Sequence, residues 1–402
     1  MEKQKNIPKL RFPEFEGEWE KKILNDTCTM VGGGTPDSGK EEFWNGHIQW
    51  FTPTEIKMDY VSKSERTITE LGLKKSSARL LPDGTILLTS RATIGEVAIA
   101  LNECTTNQGF QSIIVNKSYN NLFIFNWIKN NRYQFVRRAN GSTFLEISKS
   151  EIGKIPICAP TLPEQQKIAS FFTAIDQKIS QLKRKKNLLE QYKKGVMQKI
   201  FSQEIRFKDD NGQEFPNWEK KKLGELTYKT GKKNNDSTPF PIYSINNREG
   251  FLPQGDQFEG VDSNSRGYDI SLYKIIEEKT FAYNPARINV GSIGFSGDLK
   301  NIIISSLYVC FKTKQGLEDA YLLHYLKTFQ FNKSVLQNVE GGVRDYLFYE
   351  NFSNIKINLP TNKEQLKIVS FLSAIDDKIN HTQKQIEKAE VWKKGVMQQM
   401  FC

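Results

Sequence analysis

The sequence predicts an α+β protein written twice: two mixed α/β heads joined by two long antiparallel helices in a coiled coil, with an approximate twofold internal repeat. Three observations predict it. Residues 160–201 align without a gap on residues 360–401, and 21 of the 42 positions are identical, which chance does not produce. Apolar residues in both stretches follow alternating steps of four and three, the spacing of a coiled-coil seam. The stretches before them are rich in β-branched and aromatic runs broken by Gly, Pro and Asn, which read as strands and turns.

In chain order, the first head covers residues 1–159 and opens with GEWEKKIL (17–24). TILLTSRATIGEVAIA (85–100) and FQSIIVN (110–116) read as its strands, and NLFIFNWIKNNRYQFVRR (121–138) as a helical stretch. It closes with IGKIPICAP (152–160). After the first tail, 160–201, a second head covers 202–359. It opens alike with PNWEKKKLGEL (216–226), continues through KIIEEKTFAY (274–283) and NIIISSLYVCF (301–311), and closes alike with FSNIKINLP (352–360). DAYLLHYLKTFQFNKSVLQ (319–337) is its helical stretch, and the second tail is 360–402. Between Ile23 and Ile155, and between Leu223 and Ile355, the heads differ markedly.

Each tail starts with capping-box spacing, Thr161 with Glu164 and Thr361 with Glu364. Pro163 sits in the first turn, where a missing N–H costs nothing. The seam runs through Ile168, Phe172, Ile175, Ile179, Leu182, Leu189, Val196 and Ile200. Its copy runs through Ile368, Leu372, Ile375, Ile379, Ile386, Ala389, Val396 and Met400. Lys186, Lys193, Thr382 and Lys393 read as interruptions. A helix of ~38 residues is roughly 57 Å long, so the first tail is expected to act as a strut between the heads. The second then returns along it; the alternative is two amphipathic helices packed on separate heads.

Both tails end in one phrase, KKGVMQKIF (193–201) and KKGVMQQMF (393–401). Its lysines suit the negative end of the helix dipole. Val196 with Ile200 serves the seam, while Met197 with Phe201 forms a second apolar row at i,i+4 spacing. We therefore expect Val196, Met197 and Phe201, with Val396, Met397 and Phe401, to dock on a head or on a partner. Gly195 and Gly395 each cost about 1 kcal/mol in a helix and read as permitting close approach.

The chain has 402 residues, 38% apolar and 26% charged, a globular composition long enough for several cores. The longest apolar run, Ile302–Phe311, is too short to span a bilayer, and the first twelve residues have no apolar signal core. Five scattered cysteines, Cys28, Cys104, Cys158, Cys310 and Cys402, never spaced CxxC, fit reduced thiols in a cytoplasm. His47, His324 and His381 have no partner at metal spacing, so no metal is expected. The net charge is +11, and it is concentrated. It is +3 over 1–159, +6 over 160–201, zero over 202–359 and +2 over 360–402. Nucleic-acid contacts in the heads must therefore come from local clusters.

A search for catalytic groups finds little. GGGT (32–35) lacks the lysine of a phosphate loop and reads as an ordinary loop. Asn284-Pro285-Ala286-Arg287 is similar to the Asn-Pro-Pro-aromatic signature of amino-methyltransferases, but the second proline and the aromatic are missing, so it reads as a strand-end turn. The heads instead offer polar clusters suited to duplex DNA. In the first head these are Ser90, Arg91, Thr93, Asn107, Gln108, Arg137, Arg138, Ser142 and Thr143. In the second they are Lys232, Lys233, Asn246, Asn247, Arg248, Asn284, Arg287, Asn289 and Arg344. Arg suits guanine and Asn or Gln suits adenine, while Ser, Thr and Lys suit phosphates. The plainer reading of each is a turn former or solvated polar residue. Trp44, Trp50 and Phe51 read as core rather than stacking platform.

Taken together, these strings resemble the DNA specificity subunits of type I restriction-modification systems. The resemblance rests on GGGTPDSGKEEFWNGHIQWFTPTEI, LLTSRATIGEVAI and TNQGFQSI in the first head. It continues through FAYNPARINVGSIG and GGVRDYLFYENFSNIKINLP in the second, and LPEQQKIASFFTAID with KKGVMQ in the tails. It implies a subunit without chemistry of its own, whose two target-recognition domains each read half of a bipartite, asymmetric site in double-stranded DNA. The helices would set the gap between half-sites and help seat two modification (methyltransferase) subunits. S-adenosylmethionine would then belong to those subunits, and ATP and magnesium to restriction subunits that join for cleavage. The competing classes are a self-sufficient methyltransferase and a coiled-coil assembly or regulatory protein without sequence-specific readout.

Overall fold

The computed structural model describes residues 6–141, 145–247, 249–257, 260, 262–263, 265–339 and 346–401. The first repeat begins with β1 (Glu20–Ile23), α1 (Leu24–Thr27), β2 (Cys28–Gly32), β3 (Trp44–Phe51), β4 (Tyr60–Val61), β5 (Arg66–Ile68) and α2 (Glu70–Lys74). It continues with β6 (Ile86–Leu88), β7 (Val97–Ala100), β8 (Cys104–Thr106), β9 (Gln111–Val115), α3 (Asn121–Asn130), α4 (Arg132–Arg137), α5 (Lys149–Gly153) and β10 (Pro156–Ala159). The long helix α6 (Leu162–Phe201) ends it. The second repeat begins with β11 (Glu219–Lys222), α7 (Leu223–Leu226), β12 (Thr227–Thr230), β13 (Ile242–Asn246), β14 (Gly250–Pro253), α8 (Gln254–Gln257), β15 (Lys274–Ile276) and β16 (Phe281–Tyr283). Then come β17 (Ile293–Phe295), β18 (Ile302–Ile304), β19 (Val309–Thr313), α9 (Asp319–Tyr325), α10 (Phe329–Asn338), α11 (Tyr349–Asn354), β20 (Lys356–Leu359) and the long helix α12 (Asn362–Met400).

Contacts divide the chain into two compact units. One holds the described residues up to Lys183 together with those from Gln383 onward; the other is Arg184–Thr382. Each unit thus contains one head and a segment of both long helices. In the first unit the head has a five-stranded sheet, ordered β2-β9-β6-β7-β4, and a three-stranded sheet, β5-β3-β8. In the second it has two four-stranded sheets, β12-β19-β16-β17 and β14-β13-β18-β15.

The repeated opening and closing phrases pair with each other. β1 runs antiparallel to β10, with Glu20 opposite Ala159, and β11 antiparallel to β20, with Glu219 opposite Leu359. This ribbon ties the two ends of each head together just before the long helix begins.

The tails are helices of 40 and 39 residues. In the first unit Lys393 reaches Asp176 at 2.5 Å and Lys183 reaches Glu390 at 2.6 Å. Numbers rise along one helix as they fall along the other, so the segments are antiparallel. In the second unit Lys193 binds Asp376 at 2.6 Å. Lys193 and Lys393 therefore do not interrupt the seam. Their side chains are only 14% and 12% exposed and join the helices by charge. Thr382 is buried and satisfies its hydroxyl on the Lys378 carbonyl within its own helix. Seam residues Ile168, Phe172, Ile175 and Ile179 share one core with the first head, and Ile368, Leu372 and Ile375 share one with the second. The helices thus pack on each other and on the heads at once.

Two sequence expectations need correction, and one that left two alternatives open is decided. Glu164 and Glu364 do not close capping boxes, because other groups take their carboxylates. Arg11 donates Nε and Nη2 to the two oxygens of Glu164, both at 2.8 Å, and Trp19 Nε1 adds a bond at 3.2 Å. Arg206 and Trp218 bind Glu364 in the same way. Of the two seats expected for the extra apolar row, a head or a partner, the heads take it. Met197 and Phe201 lie in the second head's core, and Val396, Met397 and Phe401 in the first's, all 5–7% exposed; Val196 is half-buried against the second core. Aromatic walls supply the reason, with Phe201 against Tyr321 and Tyr325 and Phe401 against Phe123 and Phe172. Finally, a Cβ at Gly195 or Gly395 would meet nothing within 4 Å, so neither serves close approach.

Candidate nucleic-acid interface

In the first head the turn after β6 and the loop after β8 come together. Ser90 donates its N–H to the Gly109 carbonyl at 2.7 Å, and Asn107 Oδ1 accepts from Gly109 N–H at 2.8 Å. The GGGT loop lies against the same strand end. Gly34 N–H bonds the Thr106 carbonyl, and a Cβ at Gly33 would sit 2.0 Å from the Asn107 carbonyl, so only glycine fits there. Thr35 donates to Gln108 Oε1 at 2.6 Å. The sequence placed Ser90, Arg91, Asn107 and Gln108 in separate clusters; the fold makes them one.

Within that cluster the residues differ in reach. Ser90 is fully buried, so it supports the turn and presents nothing at the surface. Arg91 is exposed but paired with Glu146 at 2.8 Å. Thr93 is half-buried, its hydroxyl 3.5 Å from the Pro53 carbonyl. Asn107 is half-buried, Gln108 exposed. On α4, Arg137 is exposed, whereas Arg138 next to it caps the Gln134 carbonyl. Ser142 and Thr143 lie outside the described residues. Trp44, Trp50 and Phe51 are core, as expected, with the Arg66 guanidinium 3.5 Å over the Trp44 ring.

In the second head, Asn246, Asn247, Asn284 and Arg287 line a single cavity of about 440 Å³. Asn289 lines a neighbouring cavity of about 450 Å³ that shares Asn247. Lys232 lines a third, of about 830 Å³, where Lys300 and Lys312 are already paired with Glu278 and Glu277. Lys233 is exposed nearby in sequence; Arg248 and Arg344 lie outside the described residues. Sequence reasoning missed Ser244, Gln257, Ser292 and Tyr308, the other polar walls of the 440 Å³ cavity. They stand in strands, turns and a short helix that only the sheet topology brings together.

Sequence reasoning also missed the role of the Glu–Gln pair that starts both tails. Gln165 accepts from Asn120 N–H at the start of α3 and donates to the Pro160 carbonyl. Gln365 likewise accepts from Glu318 N–H before α9 and donates to the Pro360 carbonyl. The same two side chains thus fix each unlike head on its helix. Further along the paired helices, each unit has a cavity between its head and both helices with equivalent walls: Asp176, Lys393 and Lys394 in one, Asp376, Lys193 and Lys194 in the other.

Comparison with known proteins agrees with this geometry. A family model described as the type I restriction modification DNA specificity domain matches twice, over residues 16–191 and 216–391. The chain is 30% identical over 396 residues to the type I restriction enzyme MjaIX specificity subunit of Methanocaldococcus jannaschii, covering 92% of this chain and 89% of that one. It is also 30% identical over 174 residues to the EcoR124I/EcoR124II specificity subunit of Escherichia coli, covering 42% and 43%. Among solved structures, the type I restriction-modification S subunit from M. genitalium aligns at a TM-score of 0.56 and 16% identity, over 98% of this chain and 99% of that one. A chain from a structural study of complex assembly in the type I restriction-modification system aligns at 0.58 and 15%, over 96% and 97%.

Proposed function

This chain belongs to the type I restriction modification DNA specificity family, and from that premise we propose that each head reads one half of a bipartite, asymmetric duplex site. The chain itself performs no chemistry. It works in the cytoplasm with two modification subunits that carry S-adenosylmethionine, and with restriction subunits that use ATP and magnesium. The observation that carries this reading is one framework built twice, ribbon, Glu–Gln pair and long helix, bearing two unlike heads. An equivalent frame suits two copies of one partner, and unlike heads suit two different half-sites. Partner contact then falls on side chains that remain open at equivalent positions, such as Tyr192 and Trp392, 56% and 53% exposed.

Two experiments test this. Replacing residues 23–155 with the corresponding head of another family member is expected to change one half of the methylated motif and leave the other intact. Mapping methylated adenines in cells that also express the modification subunit reads the outcome; changes in both halves, or in neither, defeat the modular reading. Inserting four residues into α6 near Lys183–Lys186 adds about 6 Å of helix and is expected to alter the gap between half-sites. An unchanged gap with both half-sites preserved means the helix is not the ruler.

A further inference from the structure

The 440 Å³ cavity of the second head forms where the ends of two sheets meet. β13, from one sheet, contributes Ser244, Ile245 and Asn246; the loop from β16 to β17, in the other, contributes Asn284, Arg287 and Ser292. Several polar walls are satisfied among themselves. Ser244 bonds Gln257, the Tyr308 hydroxyl accepts from Ile245 N–H at 3.2 Å, and Ser292 Oγ donates to the Ile245 carbonyl at 3.3 Å. These bonds hold the recess open and leave its chemistry to the groups that remain.

Two of those groups are donors. Asn284 Oδ1 is taken by the Ala286 N–H at 3.0 Å, which leaves its amide nitrogen without a partner among the described residues. Arg287 is exposed, and its guanidinium has no acid or carbonyl partner among them. By contrast, Arg91 in the first head is tied to Glu146 and Arg132 to Glu96. The backbone under Arg287 is fixed from both sides. Its N–H bonds the Asn284 carbonyl at 3.0 Å, and its own carbonyl accepts from Val290 at 3.2 Å and Ser292 at 3.1 Å. Gly291 makes that tight turn possible at φ +91°. Among the described residues no Asp or Glu lines the recess. A concave site with a forked cation, amide groups beside it and no carboxylate among the described lining residues suits a ligand edge bearing two adjacent acceptors.

We propose that this recess reads a guanine in duplex DNA, with Arg287 donating to its O6 and N7 and Asn284 supplying a neighbouring donor, so that Arg287 fixes one base of the half-site read by the second head. The assignment rests on the DNA-specificity reading above. Guanine is the base whose major-groove edge offers two acceptors side by side, which a guanidinium meets with two parallel bonds. A phosphate has acceptors too, but a backbone contact has no need of a preorganised recess, whereas base discrimination needs its donor held still.

The test uses the full chain in complex with its modification subunits, methylating a randomised duplex library that is then sequenced. Arg287→Ala is expected to lose roughly 10- to 100-fold of the preference for guanine at one position while the other half-site stays unchanged. Arg287→Lys keeps the charge but not the fork, and is expected to lose the same preference with unchanged salt dependence. Asn284→Ser keeps an oxygen for the turn and removes the amide, and is expected to relax specificity at the same or the adjacent position. Unaltered preferences at every position overturn the assignment. So does uniform weakening on all sequences with a salt slope shallower by about one, which places the guanidinium on a phosphate. A wild-type complex with no sequence preference at all overturns the DNA-specificity reading together with this one, whereas a bipartite wild-type motif leaves that reading standing whatever the variants do.

Discussion

Arg11→Ala is expected to destabilise the first unit by about 3–5 kcal/mol, the usual effect of stripping one partner from a buried ion pair. The Glu164 side chain is 2% exposed and that of Arg11 14%, so solvent screens the pair little. Without the guanidinium the carboxylate keeps only the Trp19 N–H at 3.2 Å, and the remaining lone pairs face protein rather than water. For a unit of roughly 200 residues the loss corresponds to a melting temperature lower by roughly 6–20 °C. Arg206→Ala is the matched experiment in the second unit, where the Glu364 side chain is 0% exposed. Because a neutral amide is far less costly to bury than an unpaired carboxylate, Glu164→Gln added to Arg11→Ala should recover part of the loss. Scanning calorimetry reads all three, and an Arg11→Ala protein melting within about 1 °C of wild type would falsify the role given to the pair.

This pair also marks what the sequence did and did not make legible. The 42-residue repeat announced two helices, and they run over 40 and 39 residues, with charge pairs in the antiparallel order that the geometry demanded. Thr-x-x-Glu, however, has the same spacing whether its glutamate caps the helix or reaches a distant arginine. The signal that separates the two readings lies outside the tail: Arg-Phe followed by Trp stands near the start of both heads, as Arg11, Phe12 and Trp19 and as Arg206, Phe207 and Trp218. Phe12 packs edge-on against Phe171 and Phe207 against Phe371, at the same repeat position. Matching residues repeated at that distance point to a shared contact.

The polar clusters were legible as residue types but not as places. Asn246 and Arg287 stand 41 positions apart, and only the meeting of two sheets puts them in one cavity. Ser90 shows the opposite failure. Its neighbours Thr89 and Arg91 made it look like part of a surface motif, but it follows the fully buried β6 and Thr89, and its N–H is held by the Gly109 carbonyl, so the chain is still inside at Ser90. Lys193 and Lys393 looked like flaws in the seam because the pattern carries no record of Asp376 and Asp176 on the facing helix.

Met397→Asp is expected to abolish cooperative folding of the first unit rather than weaken binding to a partner. Met397 is 7% exposed in a core that also holds Val396, Met400, Phe401, Phe123 and Phe172. A carboxylate there would replace an apolar side chain packed in the core and lose water, at several kcal/mol, and the nearby Lys393, Lys183 and Lys129 are already held by Asp176, Glu390 and Asp59. Phe401→Ala gives a milder test of the same core. The ring lies stacked on Phe172 at 6.0 Å and tilted against Phe123 at 5.4 Å, and its removal should cost about 3–5 kcal/mol. Met197→Asp and Phe201→Ala should act alike in the second unit, where Tyr321 and Tyr325 receive the ring. Melting curves of the isolated chain separate the two roles that a repeated apolar row can have. If Met397→Asp melts like wild type yet no longer assembles with modification subunits, the side chain faces the partner and the core placement is wrong. If melting collapses first, the phrase repeated at the end of each tail is the anchor that fastens a head to its helix.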